Sequence, residues 1–132
     1  MALCRLGNAA QAEQIVRYGL ETEPNIPDGH VVLGVVLLKL NRPDEAEKSA
    51  RQALLLAGPK SGKSYLVLAD VDATRGDYGA QVRDLDRYLK LHPDEPNSRL
   101  LHSARDVAKR LAAKIALDAR RAARISSANS AP

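Results

Sequence analysis

Ala57-Gly58-Pro59-Lys60-Ser61-Gly62-Lys63-Ser64 comes nearest, by residue type, to a reactive motif. With Ala57 in place of the first glycine it satisfies a permissive phosphate-binding loop. The following Tyr65–Asp70 reads as an apolar run ending in a metal-binding carboxylate. Such a loop works by aiming backbone N–H groups at phosphate oxygens, between a β-strand and a helix N-terminus. Here the preceding Asp44–Leu56 has helical spacing, and Pro59 removes one N–H from any cradle. The expectation is a solvated turn capped by Ser61, with nucleotide binding at 57–64 as a distant alternative.

Other catalytic sets do not assemble. His30, His92 and His102 are far apart in sequence and have no i, i+4 partner suited to a metal. His30 reads as a packing residue, His92 as part of a turn, and His102 as part of a late helix. Cys4 is the sole cysteine, has no evident partner base, and reads as a small structural residue. Asp70 and Asp72 are two apart on a helix, so they point to different sides and cannot act as a close carboxylate pair. No catalytic residue, metal or cofactor is expected, and the chain reads as a non-enzyme.

The elements that would position these residues follow a beat. Pro24, Pro59 and Pro93 are 35 and 34 residues apart, and the shorter breaks at Gly7-Asn8, Asn41-Arg42-Pro43 and Gly76-Asp77 are spaced by 34 and 35. Each unit is then two segments of about 14 residues around a tight turn, the repeat signature of stacked elements. Both segments show helical steps of three and four. His30, Leu33, Gly34, Leu37 and Leu38 fall on one face, as do Ala46, Ala50, Ala53 and Leu54. Pro43 suits a first helical turn, where Asp44 and Glu45 favour the positive end of the helix dipole. Tyr65, Leu68 and Ala69, then Tyr78, Val82, Leu85 and Leu89, repeat the pattern, and no alternation suggests strands.

Composition agrees. Of 132 residues 45% are apolar and only 3% aromatic, so Ala and Leu must fill the core, which favours closely packed helices. One cysteine permits no internal disulfide and fits a reducing compartment such as the cytoplasm. Met1–Arg5 lacks the apolar run of a secretory signal. Val31–Leu40, the most apolar window, is half of the roughly 20 residues that a bilayer crossing needs. Residues 98–125 hold eight Lys and Arg against Asp106 and Asp118, a local charge of +6 in a chain of net +4.

His30-Val31-Val32-Leu33-Gly34-Val35-Val36-Leu37, then Asn41-Arg42-Pro43-Asp44-Glu45-Ala46, Ala53 and Gly58-Pro59, resembles the tetratricopeptide repeat. Tyr65, Leu68-Ala69, Gly76-Asp77-Tyr78, Leu85, Tyr88 and Pro93 resemble a second unit. Gly7-Asn8, Ala12, Val16, Gly19 and Pro24 resemble the end of an earlier one. The resemblance implies an all-α, right-handed stack of hairpins: 1–26 partial, 27–61 and 62–96 full, within a repeat body of 1–97. A capping helix at 98–125 and a disordered tail at 126–132 complete it. Two residues depart from the pattern: Gln81 where the first unit has Ala46, and Asp72 where a large apolar residue is usual. The opening helix, Met1–Leu6, is too short to cover Ala12, Ile15, Val16 and Leu20. The expectation is a fragment of a longer protein, or a mate supplied by a second copy through self-association.

The resemblance also implies protein–protein interaction as the function, with the first helix of each hairpin lining a concave groove. Its candidate contacts here are Asp28, Val31, Val35, Leu38 and Lys39, then Lys63, Leu66, Asp70 and Thr74. Val and Leu at most of these places disfavour a clamp for a C-terminal carboxylate. The apolar centre suits an amphipathic helix or apolar peptide, unless neighbouring repeats or the chain's own last helix fill it. The alternative partner is anionic, nucleic acid or an acidic surface, met by Arg105, Lys109, Arg110, Lys114, Arg120, Arg121 and Arg124. No aromatic residue interleaves with these cations, which disfavours nucleic acid.

Overall fold

The computed structural model describes residues 2–130, with side chains from Gly7 onward. The described residues form six helices and no strand: α1 (Ala2–Thr22), α2 (Pro27–Lys39), α3 (Pro43–Ala57), α4 (Gly62–Thr74), α5 (Tyr78–Leu91) and α6 (Ser98–Asn129). Contacts run α1 to α2, α2 to α3, α3 to α4, α4 to α5 and α5 to α6, and α2 also touches α4. The molecule is a stack of helical hairpins in which, among the described residues, α1 packs along α2 and α6 along α5.

The repeat beat is written into the turns. Asn41 (φ 57°) and Gly76 (φ 72°) both take the left-handed conformation that ends a helix sharply. Around Asn41, its N–H donates to Leu38 O at 3.0 Å and that of Arg42 to Leu37 O at 2.9 Å. Around Gly76, its N–H donates to Ala73 O at 3.1 Å and that of Asp77 to Asp72 O at 2.9 Å. Pro43 then opens α3 from its first position, with Asp44 and Glu45 in the first turn. At α5 the Asp77 carboxylate caps the helix instead, accepting from the Ala80 N–H at 3.2 Å.

Side chains repeat as well. His30 Nε2 bonds Pro24 O at 2.7 Å, and 35 residues later the Tyr65 hydroxyl donates to Pro59 O at 3.2 Å. Each bond ties the start of a hairpin to the proline that closes the previous unit. Arg42 reaches back to Glu13 on α1 at 2.8 Å, and Arg75 reaches back to Asp44 at 2.5 Å and to Glu47, both on α3. Glu13 and Glu47 are 34 apart, so the second half of α1 is the counterpart of α3. Hydrogen bonds from Arg17 and Arg42 hold the Glu13 carboxyl below the usual carboxylate range, and those from Arg75 and Arg51 do the same for Glu47.

Two apolar clusters form the interior. One gathers Val31, Ala50, Ala53, Tyr65, Val67, Leu68 and Tyr88, and the other Leu33, Leu37, Ala46 and Val71. Ala46, Ala50 and Ala53 are 0% exposed, because α2 and α3 approach over small side chains. Gly34 belongs to the same contact. A Cβ there would lie 3.0 Å from Val67 Cγ1 and 3.4 Å from Ala46 O. Ridge-to-groove packing this close leaves no volume for a larger residue.

The second hairpin is closed differently. Asp72, 35 residues after Leu37, faces Asp84, 35 residues after Ser49, across the α4–α5 contact. Asp84 is buried and accepts from Arg87 Nη1 at 3.2 Å, whereas Asp72 Oδ2 is buried with no hydrogen-bond partner. Burial first, then hydrogen bonding with and repulsion from Asp84, pushes the Asp72 carboxyl up to about 7. Among the described residues no cation pairs with this acid.

Two expectations are corrected. The chain does not break at Gly7-Asn8, because α1 passes straight through it. Unlike Asn41, Asn8 is followed by two alanines and no proline, so nothing stops the helix, and one interior glycine costs about 1 kcal/mol. At the other end α6 continues beyond Ile125 to Asn129, where a disordered tail was expected. Ser126–Asn129 holds no Gly or Pro to end it; Ala131 and Pro132 lie outside the described residues.

Candidate interaction groove

α2 and α4 lie side by side and present their outer arcs together. On α2 the exposed arc runs through Asp28, Val32, Val35 and Lys39, at steps of three and four. Val31 is not on it. It is 7% exposed and belongs to the interior with Tyr65 and Tyr88, so its place as a groove contact is withdrawn. Val32, one residue on, stands in line with Asp28 and Lys39, and the same spacing could have found it.

Val35 is 40% exposed, while Leu38 is half-buried and leans on both apolar clusters. On α4, Lys63, Asp70 and Thr74 are exposed and Leu66 is half-buried at the edge of the core. The Thr74 hydroxyl donates to the Asp70 carbonyl of its own helix at 2.9 Å. Asp70 is exposed, yet desolvation by the surrounding protein raises its carboxyl pKa. The result is an apolar strip of Val35, Leu38 and Leu66 bordered by Lys39, Lys63 and Asp70. Among the described residues α6 packs on α5 and makes no close backbone approach to α2 or α4.

The phosphate-loop lookalike is a packed turn. α3, and no strand, runs into it as far as Ala57. The Ser61 N–H donates to Gly58 O at 3.2 Å and the Gly62 N–H to Lys60 O at 2.9 Å. Pro59 lacks an N–H, so two of the donors that the loop could aim at a phosphate are committed and a third is missing. Ser61 does not cap the α4 backbone as expected. Its hydroxyl bonds that of buried Ser64 at 2.8 Å. Gly62 lies close under the His92 ring, which a Cβ at this position would displace.

Among the described residues no three His, Cys, Asp or Glu side chains are grouped to hold a metal ion. No described helix is long and apolar enough to cross a membrane. Sequence reasoning missed one pocket altogether. It is an opening of about 540 Å³ between α1 and α2, lined by Val16, Gly19, Leu20, Ile26, Gly29 and Val32 among others. The exposed Val32 in its wall was the available signal.

No curated protein matches the chain. A family model for the tetratricopeptide repeat matches residues 1–61 and again 31–96. The chain belongs to the tetratricopeptide-repeat family, whose hairpin stacks are in general scaffolds for protein–protein interaction.

Proposed function

We propose that this chain is a non-catalytic scaffold that holds an amphipathic helix or apolar peptide against the α2–α4 face. On this reading residues 1–97 are the repeat body and α6 is its cap. One observation carries it: the apolar strip of Val35, Leu38 and Leu66 has no close backbone approach from α6 and is bordered by charges of both signs. Apolar centres with charged rims are the usual anatomy of a peptide-binding surface. Peptides selected on the chain from a random library, then titrated by calorimetry, test the assignment. Val35→Asp should weaken a selected peptide at least about tenfold, since burying an unpaired carboxylate is strongly unfavourable, while leaving the melting temperature unchanged. Affinity should vary little between low and high salt, whereas an anionic ligand on the basic helix would be lost steeply. Peptides that bind Val35→Asp as tightly as the parent, or ATP turnover abolished by Lys63→Ala, would overturn this function.

A further inference from the structure

Of the charges that border the α2–α4 strip, one has no means of escaping a ligand laid over it. Lys63, Leu66, Asp70 and Thr74 follow one another at steps of three, four and four, so they share one face of α4. Half-buried Leu66 thus stands between a lysine one turn before it and a carboxylate one turn after it. Half-buried Leu38 and exposed Val35 complete the apolar strip from α2, with exposed Lys39 next to Leu38 in the chain.

The lysines and the aspartate answer differently to being covered. A lysine carries its ammonium on a long flexible stem and keeps it in water while the stem lies on apolar surface. Lys39 and Lys63, both exposed, are free to do this. Asp28 sits in the first turn of α2, where the helix dipole favours its charge. Asp70 has neither advantage. Its stem is short, and the protein around it strips away water without bringing a counter-charge, which is the cause of its raised pKa. The Thr74 hydroxyl donates to the Asp70 main-chain oxygen and not to the carboxylate. Arg75, five residues on, is committed to Asp44 and Glu47.

A ligand that covers Val35, Leu38 and Leu66 takes still more water from this carboxylate. Burying a charge without a partner is strongly unfavourable, and a hydrogen-bonded cation offsets the cost. The strip that attracts apolar side chains therefore rejects a helix that brings only apolar or acidic ones.

We infer that Asp70 selects the ligand of the groove: the docked helix carries an arginine or lysine one turn from its apolar anchor, where the cation meets the Asp70 carboxylate. The inference rests on the groove assigned above and names which amphipathic helix it accepts. With the anchor on Leu66, the cation stands three or four residues away, about 6 Å along the axis. Arginine suits the place best, because its planar fork can hold both carboxylate oxygens. One pair covered by the ligand is screened only weakly, so such a ligand keeps its affinity as salt rises.

Helical peptides selected on the chain from a random library should share Arg or Lys at one position beside the apolar anchor. Selection on Asp70→Asn should lose that preference. In calorimetry Asp70→Asn should weaken a peptide selected on the parent about tenfold, and Asp70→Lys should weaken it further. Changing the peptide's cation to Glu should restore most of the loss on Asp70→Lys, a reversal that a merely structural role for Asp70 does not produce. Circular dichroism checks that both variants, at an exposed position, remain folded. If Val35→Asp abolishes binding while Asp70→Asn binds like the parent, the groove stands and this inference falls. If neither substitution matters, both fall. A groove filled by a second copy of the chain, seen as a dimer on which no peptide is selected, overturns it as well.

Discussion

Between α2 and α3 the helices meet through Gly34, Leu37, Ala46, Ser49, Ala50 and Ala53. Thirty-five residues on, the positions between α4 and α5 hold Ala69, Asp72, Gln81, Asp84, Leu85 and Tyr88. The turns are the same, down to the left-handed residue and its two hydrogen bonds. The fillings are not. The first hairpin is held by the absence of side-chain volume, and the second by larger side chains around two neighbouring acids, Asp72 and Asp84. One backbone arrangement is thus reached by two chemistries, one indifferent to pH and one linked to it.

The largest effect should come from adding volume to the first hairpin. Gly34→Leu is expected to cost about 3 kcal/mol in denaturant unfolding, since its Cβ alone already crowds Val67. Exchanging the fillings is next. Ala46→Gln, which imports the residue of the second hairpin, should cost about 2 kcal/mol, for it puts an unpartnered amide where Ala46 is fully buried. The reciprocal Gln81→Ala should change stability by less than about 0.5 kcal/mol, because Gln81 is only half-buried. Equal costs in the two directions would erase the distinction.

The acid pair sharpens the comparison through pH. Asp72 has a folded pKa of about 7, above its unfolded value, so its contribution is full below the ordinary carboxylate range and is lost as pH rises through 7. The melting temperature should therefore fall between pH 5 and pH 8, a window in which the depressed Glu13 and Glu47 stay ionised and contribute no slope. Asp72→Leu, which restores the counterpart of Leu37, should flatten that slope and raise stability at pH 8 by about 1 kcal/mol. A slope unchanged in this variant would assign the titration to another group. The smallest effect belongs to the strap between the hairpins: Arg75→Ala should cost no more than about 1 kcal/mol, with the loss shrinking in high salt.

The turns were legible in the sequence because a left-handed residue tolerates few side chains, so Asn41 and Gly76 had to stand at fixed intervals. Pro43 and Asp77 then marked where the next helices begin. Gly7-Asn8 carried half of that signal without the following stop, and α1 ran on. The tail was misread for the same reason, since a run of Ser, Ala and Asn without Gly or Pro does not end an established helix. Helical spacing could not say which of the adjacent Val31 and Val32 faces outward, and only the packing of Val31 with Tyr65 and Tyr88 decides between them. Asp72 was visible as an anomaly, while its partner on another helix was not, because a contact across 12 residues leaves no mark in periodicity. The backward ion pairs were missed as well, although Glu13 and Glu47 keep the beat.

Those pairs give the stack a direction of assembly. Arg42 reaches for Glu13, Arg75 for Glu47, His30 for Pro24 and Tyr65 for Pro59, so each of these links joins a later residue to an earlier one. A chain emerging from the ribosome with its amino end first therefore finds every one of these acceptors already made. Each new hairpin can settle on a finished surface as it appears, without waiting for residues still to be translated.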